Sequence, residues 1–155
     1  MELILWRHAE AAPGELDAER PLTDHGRRQA EAMARFLWPR LPMDLRVIAS
    51  PARRTQETAR ALGRAAETLE ALAPGCDVAT LLAAAGWPDA ARPVLVVGHQ
   101  PTLGEVAARL VEGRPLAWAL GTGSVCWLES RPRKGRSEAA VLASIEAEIL
   151  LRGAF

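Results

Sequence analysis

Three short apolar segments of this chain each end beside an imidazole or a guanidinium group. They are residues 2–6 before Arg7-His8, residues 47–49 before Ser50-Pro51 and Arg54, and residues 94–97 before Gly98-His99. Each segment is too short for a helix and has the bulky, partly β-branched composition of a strand covered on both faces. Parallel strands present their carboxyl ends at one edge of a sheet, where ligands bind. We therefore expect these imidazoles and guanidiniums to converge on one site.

The residue types at these strand ends suit the chemistry of a phosphoryl group. Arginine forms paired hydrogen bonds to phosphate oxygens, and a neutral imidazole is a competent in-line nucleophile. The charge of a phosphoryl group in transfer spreads over three oxygens, which the protein must hold and neutralise. We assign His8 as the nucleophile, Arg7 and Arg54 as the clamp on the phosphate, and His99 as a second imidazole that donates to it. The neighbouring guanidiniums should lower the pKa of His8 and keep its ring neutral.

Each basic residue also has a structural interpretation. A single histidine at a strand end is usually structural, but two strands that end alike favour a functional reading of His8 and His99. Arg54 is predicted in the first turn of a helix, where a cation is unfavourable unless a bound anion neutralises its charge. Its neighbour Arg53 faces elsewhere, so we expect it at the surface. Arg20 either reaches the phosphate from its loop or is a solvated loop residue, and both readings stay open.

A metal site and a nucleotide loop are both disfavoured by the sequence. His25 is expected as an exposed residue at a helix start, away from the other two histidines, so we predict no metal ligands. Residues 121–124 (Gly-Thr-Gly-Ser) lack the lysine of a nucleotide-binding loop and the spacing of a nucleophile elbow. We interpret them as the entry of a hairpin that lies near the site.

The composition indicates one ordinary globular domain. The 155 residues are enough for one core, so we predict a single domain over residues 1–155. The 19 basic and 19 acidic residues cancel, which gives no reason to expect a nucleic acid or membrane partner. Cys76 and Cys126 lack metal-ligand spacing and are expected as reduced thiols of a cytoplasmic protein. The apolar start of the chain is too short for a signal peptide or a membrane span.

Alternating strands and helices predict an α/β sandwich. The predicted strands cover residues 2–6, 45–49, about 68–69, 93–97, 123–129 and 138–145. The predicted helices cover residues 23–38, 51–62, 77–85 and 102–111. Thr23 is a plausible N-cap, Ser50 followed by proline is a strong helix start, and Thr102 with Glu105 has the spacing of a capping box. The last two strands form a hairpin, although residues 138–145 are also compatible with a helix.

Four motifs in this order resemble the histidine phosphatase superfamily. They are Arg7-His8, residues 21–26 (Pro-Leu-Thr-Asp-His-Gly), Ser50-Pro51-x-x-Arg54-x-x-x-Thr58, and residues 97–99 (Val-Gly-His). The short chain and residues 98–101 (Gly-His-Gln-Pro) are similar to the SixA-type phosphohistidine phosphatases within it. The resemblance implies a three-layer α/β/α sandwich with a mostly parallel sheet, as in phosphoglycerate mutase. It also implies a hydrolase that uses a covalent phosphohistidine and needs no cofactor.

The general acid is the least defined part of this site. The resemblance implies an acidic residue after the second helix or beside the second histidine, but residues 71–73 (Ala-Leu-Ala) have none. Glu10, Glu70 and Asp77 are the candidates. A poorly placed acid matters less for a phosphoramidate, because its leaving nitrogen is readily protonated. We therefore expect phosphohistidine on a protein, such as a histidine phosphotransfer domain, to be the substrate.

Two other functions remain open at the level of sequence. The protein is alternatively a phosphatase of small phosphorylated metabolites, which a substrate panel would distinguish. The second alternative is a domain that binds phosphorylated partners without turnover. Mutase activity is disfavoured because the chain has no long insertion to enclose a small phosphorylated intermediate.

Overall fold

A six-stranded sheet forms the middle layer of the molecule. The computed structural model describes residues 1–133 and 135–153. The strands are β1 (Glu2–Arg7), β2 (Arg46–Ala49), β3 (Glu67–Thr68), β4 (Val94–Gly98), β5 (Val125–Arg133) and β6 (Arg136–Ile145), in the spatial order β3-β2-β4-β1-β5-β6. The first four strands are parallel, and β5 and β6 continue the sheet antiparallel beside β1. The predicted mostly parallel sheet is confirmed.

Helices cover both faces of this sheet. They are α1 (Asp24–Leu37), α2 (Arg53–Arg60), α3 (Val78–Ala85), α4 (Thr102–Glu112) and α5 (Ala147–Leu151). Side chains alternate along β1, so that Ile4 and Trp6 pack with α1, α2 and α5, while Leu3 and Leu5 pack with α3 and α4. All four of these side chains are fully buried. The three-layer α/β/α sandwich is therefore confirmed.

Two of the predicted helix starts have side-chain caps, of which Thr23 was expected. The Gly26 amide donates to Thr23 Oγ1 at 2.9 Å, which makes Thr23 the N-cap of α1. The Thr80 amide donates to the Asp77 carboxylate at 2.7 Å, and Gly86 ends α3 in the left-handed conformation. These signals are readable in the sequence because a cap bonds within its own turn.

Helix α4 begins at Thr102 as predicted, but the caps expected at the starts of α2 and α4 were wrong. Helix α2 begins at Arg53 rather than Pro51, and its N-cap Ala52 has no side-chain cap. Ser50 instead follows β2 directly. Its hydroxyl accepts from the Ala52 amide and contacts the ring of His99. In α4, Thr102 donates to the Cys76 carbonyl, so it does not form a capping box.

The carboxyl-terminal hairpin is a pair of strands, and the alternative helix over residues 138–145 is excluded. β5 and β6 pair antiparallel with a bulge at Trp127 and Leu128. Helix α5, which the sequence analysis did not predict, follows the hairpin and packs on α1. Lys134, in the predicted turn, lies outside the described residues. Over the described part of the chain, no helix has the length and apolarity needed to cross a membrane.

Candidate active site

The ends of β1 and β4 place two histidines side by side. Arg7 pairs with Gly98 in the parallel register, and the His8 amide donates to the Gly98 carbonyl at 3.0 Å. His8 and His99 therefore follow neighbouring strands at the same level. Their ring centroids lie 5.3 Å apart, with the planes tilted by 56°. The predicted convergence of the two imidazoles is present in the structure.

His8 has one ring nitrogen held by the backbone. Its Nδ1 lies 2.8 Å from the Ala9 carbonyl, which can only accept, so Nδ1 carries the proton and Nε2 has a free lone pair. Burial, together with the smaller effects of the Arg54, Arg7 and Arg20 guanidiniums, lowers the pKa of His8 to about 4, although the hydrogen bond to the Ala9 carbonyl opposes this shift. The ring is therefore neutral at physiological pH, as a nucleophile must be.

His99 is anchored through a serine at the end of β2. Its Nε2 lies 2.7 Å from Ser50 Oγ, and its Nδ1 lies 3.4 Å from a terminal nitrogen of Arg54. Burial lowers the pKa of His99 to about 3, with further contributions from His8 and Arg54. Ser50 is fully buried and His99 is 6% exposed. The two residues therefore form a rigid wall of the site.

Two arginines complete the group around the histidines. Arg7 donates to the Leu120 carbonyl at 2.6 Å, and burial lowers its pKa while Glu146 opposes that shift. Arg54 is only 5% exposed. Within the described part of the chain, the Nε atoms of both arginines are buried and have no hydrogen-bond partner. Buried donors without partners are costly, and an anion bound between them would satisfy both.

Thr58 joins the two segments that carry the site. Its hydroxyl accepts from the Ala9 amide at 3.0 Å and donates to the Arg54 carbonyl at 2.7 Å. This threonine is fully buried. The spacing from Arg54 to Thr58 is one helical turn, so the pair fixes α2 against the loop after His8.

The hairpin entry lies beside the site, as the sequence predicted. The Gly123 amide donates to the His8 carbonyl, and the Arg7 amide donates to the Ser124 carbonyl, both at 3.0 Å. Gly123 has a φ of +72°, and a Cβ there would lie 3.0 Å from that of Gln29. A residue without a side chain is therefore needed at this position.

The other basic candidates have different environments. Arg20 donates to the Ala12 carbonyl and to Asp17 Oδ1, and its charge acts on His8 without a direct contact. Arg53 is 56% exposed and pairs with Glu57, as expected of a surface residue. His25 is partly buried, because its ring pairs with Glu148 of α5 at 2.7 Å. The expectation of an exposed His25 in the first turn was right about the turn but wrong about exposure, because the sequence does not predict α5.

None of the three predicted general acids forms a described hydrogen bond with His8, His99, Arg7 or Arg54. Glu10 accepts from Thr23 Oγ1 at 2.7 Å at the start of α1. Glu70 is exposed at the start of a 3₁₀ turn (Glu70–Leu72), and Asp77 is exposed as the N-cap of α3. The described residues contain no group of three histidines, cysteines or acidic residues that would hold a metal ion.

An acidic residue that the sequence analysis missed does contact the site. Asp17 lies in a 3₁₀ turn (Asp17–Glu19) of the loop over the strand ends. Arg54 donates to the Asp17 carbonyl at 2.8 Å and to its Oδ2 at 3.1 Å. The only signal in the sequence is the three-residue spacing to Arg20, which by itself indicates no more than a local ion pair.

Comparison with known proteins gives a consistent set of relatives. The model of the histidine phosphatase superfamily (branch 1) matches residues 3–79. The chain is 32% identical over 122 residues to the phosphohistidine phosphatase SixA of Escherichia coli, covering 73% of this chain and 76% of that protein. A structure from Nakamurella multipartitia, provisionally assigned as SixA, superposes with a TM-score of 0.78 at 28% identity, covering 94% and 95% of the two chains. The protein histidine phosphatase SixA in complex with tungstate gives 0.75 at 27% identity, covering 97% and 99%.

Proposed function

The chain belongs to the histidine phosphatase superfamily, and on that premise we propose that it hydrolyses phosphohistidine on a protein through a covalent intermediate at His8. The observation that carries the proposal is the unprotonated Nε2 of His8, whose pKa is lowered by burial and by Arg54 and Arg7, together with a buried Nε without a partner on each of these arginines. The site therefore combines a nucleophile with N–H donors that can bind an anion. The complex of a related SixA with tungstate, a tetrahedral oxyanion like phosphate, agrees with this assignment.

In the first step His8 Nε2 attacks phosphorus as the bond to the leaving group breaks. Arg7 and Arg54 hold the phosphoryl oxygens as their charge develops, and the ring of His99, anchored on Ser50, forms the neighbouring wall of the cradle. In the second step water attacks the phosphorylated His8 and releases inorganic phosphate. Each step keeps the three oxygens in the same cradle, so the protein need not rearrange between the two.

The preference for a protein substrate rests on the leaving group and on the relatives. No candidate among Glu10, Glu70 and Asp77 is bonded to the site, which disfavours alkyl phosphate esters because their leaving oxygen needs a proton. The relative in Escherichia coli is a phosphohistidine phosphatase. A histidine phosphotransfer domain is the corresponding partner. We place the protein in the cytoplasm, because its two cysteines are free thiols.

A phosphoenzyme trap tests this proposal. The protein is mixed with a labelled phosphohistidine protein, quenched rapidly in alkali, and assayed for label on the enzyme. We expect transient label on the wild type, none on His8→Ala or His8→Asn, and normal label on His25→Ala, whose histidine lies away from the strand ends. Label that persists in both His8 variants would exclude the assigned nucleophile, and the absence of any phosphoenzyme would favour a domain that only binds.

The second candidate is a small-molecule phosphatase of the same superfamily. It is favoured by the exposed position of residues 13–19, since a site beside a short exposed loop also admits small substrates. A panel of sugar and nucleotide phosphates beside the phosphohistidine protein separates the two. One small substrate with a higher kcat/KM than the protein substrate would replace the first assignment.

A further inference from the structure

The carboxylate of Asp17 lies at the mouth of the candidate active site. One of its oxygens accepts from Arg54 at 3.1 Å, and the other accepts from Arg20 at 3.0 Å. The Asp17 side chain is 59% exposed, whereas the Arg54 side chain is 6% exposed. Asp17 therefore lies on the solvent side of the phosphate clamp.

An exposed carboxylate bonded to the phosphate clamp is in a position that suits a contact with the leaving group. His8 directly follows β1, and its amide is bonded to Gly98 at the end of β4, so it lies at the edge of the sheet. An in-line displacement expels the leaving group on the side of phosphorus opposite the nucleophile. For a phosphate held between His8 and the mouth, that side faces solvent and the loop that carries Asp17.

The charge of Asp17 selects among leaving groups. Hydrogen bonds from Arg20 and Arg54 lower its pKa, so the group at the mouth is a carboxylate. A carboxylate cannot donate a proton, but it attracts a cation and repels an anion. Each of its oxygens has lone pairs left for one more N–H donor.

We propose that Asp17 is the residue that selects phosphohistidine, by accepting a hydrogen bond from the protonated ring of the leaving histidine. This inference rests on the proposed function and adds a recognition residue to it. The ring is protonated on the nitrogen remote from phosphorus. As the His8–phosphorus bond forms, the electron pair of the breaking phosphorus–nitrogen bond returns to the ring, which departs as neutral imidazole and keeps that proton. Esters with anionic leaving groups gain nothing from this contact and are repelled by it.

The test compares Asp17→Asn with wild type on two substrates. A phosphohistidine peptide has the protonated ring, whereas p-nitrophenyl phosphate expels an anion that needs no proton. Asparagine keeps the size of the side chain and removes its charge. We expect kcat/KM on the peptide to fall about tenfold or more while kcat/KM on p-nitrophenyl phosphate is unchanged or higher.

Glu19→Gln is the matched control. It removes the same charge from the same turn, and no described hydrogen bond or ion pair involves the Glu19 carboxylate, so neither substrate should be affected. An equal change on both substrates, or no change, in Asp17→Asn would overturn the inference. The phosphoenzyme formed by wild type from p-nitrophenyl phosphate is measured in parallel. A phosphoenzyme at His8 would support His8 as the nucleophile even if the Asp17→Asn results contradict the role of Asp17.

Discussion

Ser50 shows how one side chain can serve two segments of the chain. Its hydroxyl accepts from the Ala52 amide at 3.2 Å and contacts His99 Nε2 at 2.7 Å. The first contact stays within the loop that opens α2, and the second joins residues 49 positions apart. The sequence analysis interpreted Ser50 as a helix cap, because the long-range partner of a serine leaves no local signal.

Replacing Ser50 by alanine should lower kcat about tenfold with little change in KM, because His99 loses the contact that holds its ring. Thr55→Val is the matched control, since it removes a buried hydroxyl that donates to the Ser50 carbonyl but has no contact with His99. Steady-state kinetics and urea unfolding of both variants provide the measurement. An equal loss of kcat in the two variants would show that Ser50 acts only through stability.

Helix α1 approaches the loop after His8 at a glycine. A Cβ on Gly26 would lie 2.0 Å from the Glu10 carbonyl oxygen, and its nearest neighbours are all backbone atoms of Glu10. The same carbonyl accepts from the Thr23 amide at 3.0 Å. Close contact between the helix and this loop therefore requires glycine, and the sequence motif that includes Gly26 has a steric reason.

Gly26→Ala should destabilise the protein by about 1–3 kcal/mol and also lower kcat, since either the helix or the loop that carries His8 must shift. Glu31→Ala, at an exposed position of the same helix, should change the free energy of unfolding by less than about 0.5 kcal/mol. Urea unfolding and turnover are measured on both. Wild-type stability in Gly26→Ala would mean that the loop relaxes without cost.

Over the whole molecule, the site is held together by contacts between distant elements. Gln29 of α1 is 2% exposed. Its oxygen accepts from the Glu10 amide at 2.9 Å, and its nitrogen donates to Thr122 at 3.0 Å and to Glu148 at 2.8 Å. One side chain thus joins the loop after His8, the entry of the hairpin and α5. The sequence analysis predicted this helix but not a polar residue on its buried face.

The two site histidines should make the stability of the whole molecule depend on pH. Folding lowers the pKa of His8 from 6.5 to about 4 and that of His99 to about 3, mainly through burial. Between these values and pH 6.5 the unfolded chain binds more protons than the folded one. The contribution of the two neutral histidines to the free energy of unfolding is therefore fully present above about pH 6.5, and it is lost as the pH falls towards 4.

We expect wild type to lose about 4 kcal/mol more stability between pH 7 and pH 5 than His8→Asn/His99→Asn does, about half of it from each histidine. Urea unfolding at both pH values gives the difference, and both proteins retain His25. Parallel losses in the two proteins would show that the histidines are not the groups that titrate on unfolding.

The sequence by itself determined the strands, most of the helices and the four residues expected to converge. These features depend on local composition and on one geometric rule, that parallel strands end at the same edge. Only the tertiary structure decided that Asp17 bonds Arg54 across 37 residues, that Ser50 holds His99, and that α5 pairs with His25. A polar side chain with a local partner and one with a distant partner look alike in a sequence, because hydrogen bonding depends on position in space and not on separation along the chain.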